Sequence, residues 1–249
     1  MHGIARLESR SGTQVKQRKR IVILGAGGTA REIEWLIRDI NRVTDCYEWM
    51  GYVVSDLSRI GSLGSTSHLL GDYEWLTQNA FAIDAVTMGI GTPALRLKVA
   101  AEVGGIIPNA EWPTLIHPSA IFDSETTHLS QGVQICAGVV GTVNIALDPF
   151  VLCNFACTIG HETTVGAGSV INPGANVSGG VSIGSSVLVG TGAQVLQYVK
   201  IGANAVLGAG CVVTKNVPQG VTVVGVPARA LQRNSIVKKG RSVDSSPEY

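Results

Sequence analysis

An uninterrupted six-residue period limits what this chain can fold into more than any other feature. Stepping by six from Leu129 gives Leu129, Ile135, Gly141, Leu147, Cys153, Ile159, Val165, Ile171, Val177, Ile183, Val189, Val195, Ile201, Leu207 and Val213. Fifteen positions pass in phase, and only Gly141 and Cys153 are not aliphatic. Two residues earlier, from Val133 to Cys211, every side chain is small or β-branched. Two inward positions separated by one outward residue are the pattern of a short strand. Glycine follows the aliphatic residue at 160, 166, 184, 190, 202 and 208, which predicts a bend after each strand. Short strands and bends at this spacing describe a β-solenoid with three flat faces and one coil per eighteen residues, so fifteen hexads make five coils. Stacked at ~4.8 Å they form a prism roughly 24 Å long. An antiparallel β-sandwich would instead place its turns irregularly, about 8 to 12 residues apart.

Composition agrees with a repeat of this kind. The chain has 249 residues, of which 45% are apolar, 15% charged and 31 are glycine, against about 25% charged in an ordinary soluble domain. That apolar content excludes a disordered chain, and no apolar stretch approaches the ~18 residues of a membrane-spanning helix. Between 129 and 217 the only charged side chains are Asp148, Glu162, Lys200 and Lys215. A solenoid exposes all its faces, so one with so few charges predicts cover by further copies of itself in a closed cyclic oligomer. The net charge of +1 hides an uneven distribution, with +5 in residues 1–20, +3 in 229–249 and −7 in the body between. Such a body disfavours nucleic acid as a partner, and the basic tails read as solvated, disordered ends. The first twenty residues lack the apolar core of a secretory signal. Five cysteines without a CxxC pair predict buried thiols in a reducing cytoplasm, with neither a disulfide framework nor a zinc site.

Upstream of the solenoid the pattern changes. Residues 21–24 read as a short apolar strand, 25–28 as a Gly-rich turn and 29–40 as an amphipathic helix. Strands over 50–54 and 85–88 and helices over 73–78 and 93–103 follow, an alternation that predicts a small parallel sheet with helices on its faces. Gly25-x-Gly27-x-x-Ala30 matches the dinucleotide fingerprint, in which glycines let a phosphate approach a helix N-terminus. From Ile21 to the solenoid there are fewer than 100 residues, room for one mononucleotide half of such a fold. The expected organisation is a basic tail over 1–20, a half-Rossmann-like βαβαβ domain over 21–111, a β-helix over 112–231 and a second tail over 232–249.

The hexads resemble the hexapeptide-repeat left-handed parallel β-helices, most of which are acyltransferases; the hand of the helix and a trimer of parallel prisms are implied by that resemblance. The stretch 213–231, VTKNVPQGVTVVGVPARAL, is similar to the closing loop of that family. More narrowly, the GAGG turn, GYVVSD, IGTPALR, IHPSA and CNFACTIGHETTVG together resemble the bacterial acyltransferases of nucleotide-linked 4-amino sugars and their sialic-acid O-acetyltransferase relatives, over residues 21–231. The resemblance implies acetyl-CoA as cosubstrate, a cytoplasmic enzyme and a nucleotide held by the first domain, with Gly25, Gly27, Asp56, Gly91 and Arg96 contacting it or shaping its site. Thr29 and Val170 depart from the pattern, since many members carry histidine at both.

His161 is the only histidine between 129 and 217, and Glu162 beside it is one of the four charges there. An amine attacking a thioester must lose a proton as the tetrahedral intermediate forms, and an imidazole, with an ordinary pKa near ~6.5, suits a general base. Glu162 is the candidate to orient it. One coil above His161 stands Gly179, where a missing side chain leaves room and a backbone N–H for an oxyanion. By resemblance, Gly179, Thr191 and Ala209 line a slot between adjacent subunits for the pantetheine arm of acetyl-CoA, Lys215 meets a CoA phosphate, and Asn154 touches the acceptor sugar. An asparagine ladder with Asn172 is the structural alternative for Asn154. Cys153 and Cys157 fall on inward positions, which favours direct transfer over an acyl-enzyme. The expected activity is acetyl-CoA-dependent N-acetylation of the 4-amino group of a UDP-, dTDP- or GDP-linked sugar. A sugar O-acetyltransferase, a metal hydrolase on the same solenoid and an inactive nucleotide-sugar-binding solenoid are the alternatives.

Overall fold

The computed structural model describes residues 17–59 and 67–231; the tails of the sequence reading fall largely outside them. The first domain is a four-stranded parallel sheet in the order β3-β2-β1-β4. Its strands are β1 (Lys19–Leu24), β2 (Tyr47–Val53), β3 (Leu69–Gly71) and β4 (Ala85–Met88). Helix α1 (Gly28–Thr44) joins β1 to β2, α2 (Tyr73–Gln78) joins β3 to β4, and α3 (Pro93–Ile106) leads towards the solenoid. The sheet begins two residues before the expected boundary, because Arg20 is held in β1 by Asp84, whose carboxylate accepts from its backbone N–H at 2.8 Å and from Nε at 3.0 Å. Sequence patterning missed β3, a three-residue strand with no fully buried side chain.

From His128 to Val213 the chain is a parallel β-helix in which strand partners are eighteen residues apart: Leu152 pairs with Val170, Thr158 with Asn176, and Thr164 with Ser182. Its three sheets have eight, five and five strands. The register fits a left-handed helix. Both predicted inward sets line the interior, with Val133, Val151, Cys153, Cys157, Ile171, Val187, Val189 and Leu207 at 0% exposure. The regular spacing slips only at the ends, where Leu115 pairs with Gln134 and Val206 with Thr222. A hairpin of Thr222–Val224 against Arg229–Ala230 closes the far end.

The bends differ from the sequence expectation. Backbone in the left-handed region recurs at every sixth residue from Gly132 to Gly210, and seven of these fourteen corners are not glycine, among them Phe150, Glu162 and Tyr198. The glycines at 160, 166, 184, 190, 202 and 208 precede these corners. They are needed for close stacking: a Cβ on Gly160 would lie 2.6 Å from the carbonyl carbon of Ser178 in the next coil. Left-handed φ costs roughly 1–2 kcal/mol for a residue with a Cβ. It also aims the corner N–H along the prism axis, so that Glu162 N donates to Val143 O at 3.1 Å and Tyr198 N to Gly179 O at 3.1 Å.

Two hydroxyls interrupt the apolar interior and both are paired. Thr163 Oγ1 donates to Ser178 O at 3.1 Å, and Ser169 Oγ donates to Gly184 O at 2.8 Å while accepting from Val187 N at 3.0 Å. Ser169→Ala strands both backbone groups, and a loss of roughly 1–3 kcal/mol is expected, read as a lower urea midpoint with an unchanged slope. An unchanged midpoint would show that these groups find other partners.

The first domain covers one face of the prism. Outward residues Leu152 and Val170, with Leu188 partly buried, pack in one cluster with Ile33, Leu36 and Ile37 of α1. Val170, one of the two departures from the resembled pattern, is therefore a domain-junction residue at 1% exposure. The other two faces carry Val140, Thr158, Asn176 and Gln194, and Thr164, Ser182 and Lys200. Among the described residues no helix is long and apolar enough to cross a membrane.

Candidate active site

His161 stands on the corner that follows the strand Thr158–Ile159, and Glu162 is that corner's left-handed residue, φ 60°. The corner geometry solves the problem that neighbours in a strand point to opposite faces: Nδ1 of His161 lies 3.7 Å from Glu162 Oε2, an ion-pair contact beyond hydrogen-bonding distance. With Nδ1 turned to the carboxylate, Nε2 lies beneath Gly179, where an added Cβ would stand 2.5 Å from Cε1 of the ring. The backbone fixes the histidine between coils, since His161 O accepts from Gly180 N at 2.7 Å. Gly179 N–H has no acceptor among the described residues. The same is true of the His161 and Gln197 amides in this column, so what sets Gly179 apart is its missing side chain. The column continues to Lys215, beside a shallow pocket of about 270 Å³ that also involves Thr214, Asn216 and Arg229 at the closing hairpin. Exposed apolar side chains flank the corner: Val143 directly below His161, and Leu196 and Tyr198 above.

Within one chain the candidate slot residues stand on two different corners of the prism. Thr191 and Ala209 lie on the corner before the Gln194–Val195 and Val212–Val213 strands, and Gly179 lies on the corner after Asn176–Val177. One whole face intervenes, because each hexad carries the chain along one side of the triangle. A single chain therefore does not form the slot expected from Gly179, Thr191 and Ala209. Asn154 likewise stands on the corner before Thr158–Ile159 and His161 on the corner after it. Asn154 Oδ1 accepts from Phe155 N at 2.9 Å, and the polar ladder that does form is Thr158 with Asn176, at 2.8 Å. Cys153 and Cys157 are fully buried, and the contact between their thiols together with burial pushes the Cys153 thiol well above its ordinary value, which suits core residues.

In the first domain, the carboxyl ends of β1 and β4 make a cleft at the start of α1. Gly25 turns with φ 107°, and a Cβ there would stand 3.0 Å from Gly89 O. Gly27 caps α1 with open space around it, no side chain satisfies the cap, and the first turn holds no acidic residue. Those free N–H groups suit an anion such as a phosphate. Gly91 closes the opposite side, its absent Cβ 3.0 Å from Thr29 Oγ1. Asp56 ends the β2 segment, accepting from Ser58 N at 2.9 Å and Ser58 Oγ at 2.6 Å. Arg96 is 0% exposed, deep in the domain junction, which leaves it to shape the site rather than to touch a ligand. Among the described residues no group of three or more His, Cys, Asp or Glu side chains is placed to hold a metal ion. His117 pairs with Asp39 at 3.0 Å and Ser119 Oγ at 2.8 Å, tying α1 to the first turn of the solenoid.

A parallel β-helix of eighteen-residue coils behind a small α/β domain is the architecture of hexapeptide-repeat transferases, and residues 180–215 match the family described as bacterial transferase hexapeptide (six repeats). A comparison with curated protein sequences gives no match. Solved structures give specific likenesses over both domains. One is a histidine-to-asparagine variant of perosamine N-acetyltransferase from Caulobacter crescentus in complex with CoA and GDP-perosamine, 27% identical, TM-score 0.76, over 85% of this chain and 96% of that one. A second is the acetyltransferase domain of PglB from Neisseria gonorrhoeae in complex with acetyl coenzyme A, 27% identical, TM-score 0.75, over 86% of this chain and all of that one. WeeI from Acinetobacter baumannii is 26% identical, TM-score 0.73, over 85% and 99%.

Proposed function

We propose that the protein is an acetyl-CoA-dependent N-acetyltransferase that acetylates the 4-amino group of a nucleotide-linked deoxy sugar. The observation that carries this reading is His161 standing under Gly179 on a corner nearly free of charge, joined to a glycine-lined helix N-terminus, in a chain similar over both domains to perosamine N-acetyltransferase. Gly25, Gly27, Gly91 and Asp56 surround the nucleotide, whose phosphates meet the first-turn N–H groups of α1. His161 Nε2 takes the proton from the attacking nitrogen as the new N–C bond forms, and Glu162 stabilises the resulting imidazolium through Nδ1. The Gly179 N–H meets the oxyanion. When the C–S bond breaks, the sulfur leaves as thiolate and the imidazolium returns the proton to it or to solvent. Lys215 holds a phosphate of the acyl donor at the closing end.

The functional unit is a homotrimer. The first domain covers one face of its own prism, and the His161 corner, with exposed Val143, Leu196 and Tyr198, is left for a neighbour. A neighbour's opposite corner then brings Asn154, Thr191 and Ala209 to the His161 column, completing the slot a single chain lacks. Purified protein is expected to release CoA thiol when given acetyl-CoA with one of a panel of UDP-, dTDP- and GDP-linked 4-amino sugars, and to leave free sialic acid unmodified. No turnover with any amino sugar would overturn the reading.

A further inference from the structure

Among the described residues Arg96 is the largest fully buried side chain, and its guanidinium serves oxygens from three separate parts of the chain. Nη1 donates to Ile90 O at 2.6 Å, Nε to Phe150 O at 2.8 Å and Nη2 to Gln134 Oε1 at 2.8 Å. Phe150 is a left-handed corner of the solenoid, and Gln134, at 0% exposure, is an outward residue of its covered face. Gln134 answers in the other direction: its Nε2 donates to Thr87 Oγ1 at 2.9 Å and Met88 O at 2.7 Å. Two buried polar side chains, one from each domain, thus grip the end of β4 and the loop after it from both sides.

All three acceptors of Arg96 are neutral oxygens, and burial lowers its pKa to about 9. A buried guanidinium without a carboxylate is an expensive way to fill a domain junction, and an apolar side chain of similar size generally stabilises as well or better. What an apolar residue lacks is the fork that fixes three oxygens in one geometry. The oxygen held most tightly belongs to Ile90, next to Gly91, and the Gly91 loop is the wall of the α1 cleft opposite the helix N-terminus.

We propose that Arg96 and Gln134 form a positioning strut that fixes the Ile90–Gly91 wall of the nucleotide cleft to the solenoid, so that the cleft and the His161 column keep one spacing. The proposal rests on the nucleotide-sugar reading above. It assigns Arg96 no contact with substrate; the residue acts through the Ile90 carbonyl and the loop that carbonyl ends.

Steady-state kinetics of the full chain, with wild type, R96M and Q134L, test it together with hydrogen exchange of residues 88–92. Both variants are expected to raise KM for the nucleotide sugar about tenfold, leave KM for acetyl-CoA within twofold, and speed exchange in 88–92 about tenfold while exchange in the coils 170–207 is unchanged. A folded variant with neither KM altered, or with both raised equally, overturns the strut. If R96M does not fold, Q134L decides alone, because it removes the solenoid's side-chain bonds to Arg96, Thr87 and Met88 while Arg96 keeps its bonds to Ile90 O and Phe150 O. If wild type turns over no nucleotide sugar, the functional reading fails by itself and exchange in 88–92 decides the strut: faster exchange in the variants supports it, unchanged exchange overturns it.

Discussion

His161→Ala is expected to lower kcat by roughly 10²- to 10⁴-fold, the usual contribution of a positioned general base, with little change in KM for acetyl-CoA. The side chain is half-exposed on a corner, so the fold should be little affected. Its carbonyl, which accepts from Gly180 N, is retained in the variant. A variant at wild-type rate, measured by thiol release under saturating substrates, would show that the proton leaves by another route. Loss of rate accompanied by loss of the fold would refute the premise that the residue is chemically rather than structurally important.

Gly179→Ala is expected to be nearly as damaging through geometry alone. The added Cβ would meet the imidazole at about van der Waals overlap, 2.5 Å from Cε1, and displacement of a reacting group by ~1 Å can cost ~10²-fold in rate. The backbone of Gly179 is outside the left-handed region, so alanine fits its φ. The collision is with a side chain that can turn away, unlike the backbone collision awaiting a Cβ at Gly160. Stability should therefore fall only slightly in Gly179→Ala. That small loss should vanish in the His161→Ala background, where the ring is gone, and a double-mutant cycle on urea midpoints reads the coupling directly. An active Gly179→Ala enzyme would mean that the ring does its work in a different orientation.

Much of this molecule was legible in its sequence, because a six-residue period has a single mechanical meaning. The phase of Leu129 to Val213 placed the inward residues, the eighteen-residue coil and the stacking of Gly179 on His161, all before any coordinate. Periodicity along one chain does not reveal which corner faces which. Thr191 and Gly179 look like neighbours when small residues are sought in columns, yet they occupy different edges of the triangle. Glycine usually marks a bend, which is what the sequence predicts for those that follow the aliphatic residues. Here the left-handed residue comes two positions later, and Glu162, Phe150 and Tyr198 show that hydrogen bonding between coils can hold a substituted residue there. Arg96 was the least readable: the resemblance leaves open whether it contacts the nucleotide or shapes its site, and nothing in sequence shows that its three acceptors lie in the chain itself.

The fourteen evenly spaced corners also set how the protein can change its dimensions. Between His128 and Val213 each strand meets its partner eighteen residues away, so an insertion or deletion that keeps every later corner of this stretch on its own edge is a whole coil, the other spacings being confined to the ends. The distance from His161 to Lys215 is three coil rises, ~14 Å, and it can be altered only in increments of ~4.8 Å. The prism is in effect a graduated ruler, on which the spacing of any two residues of one column, such as His161 and Lys215, is counted in whole coils.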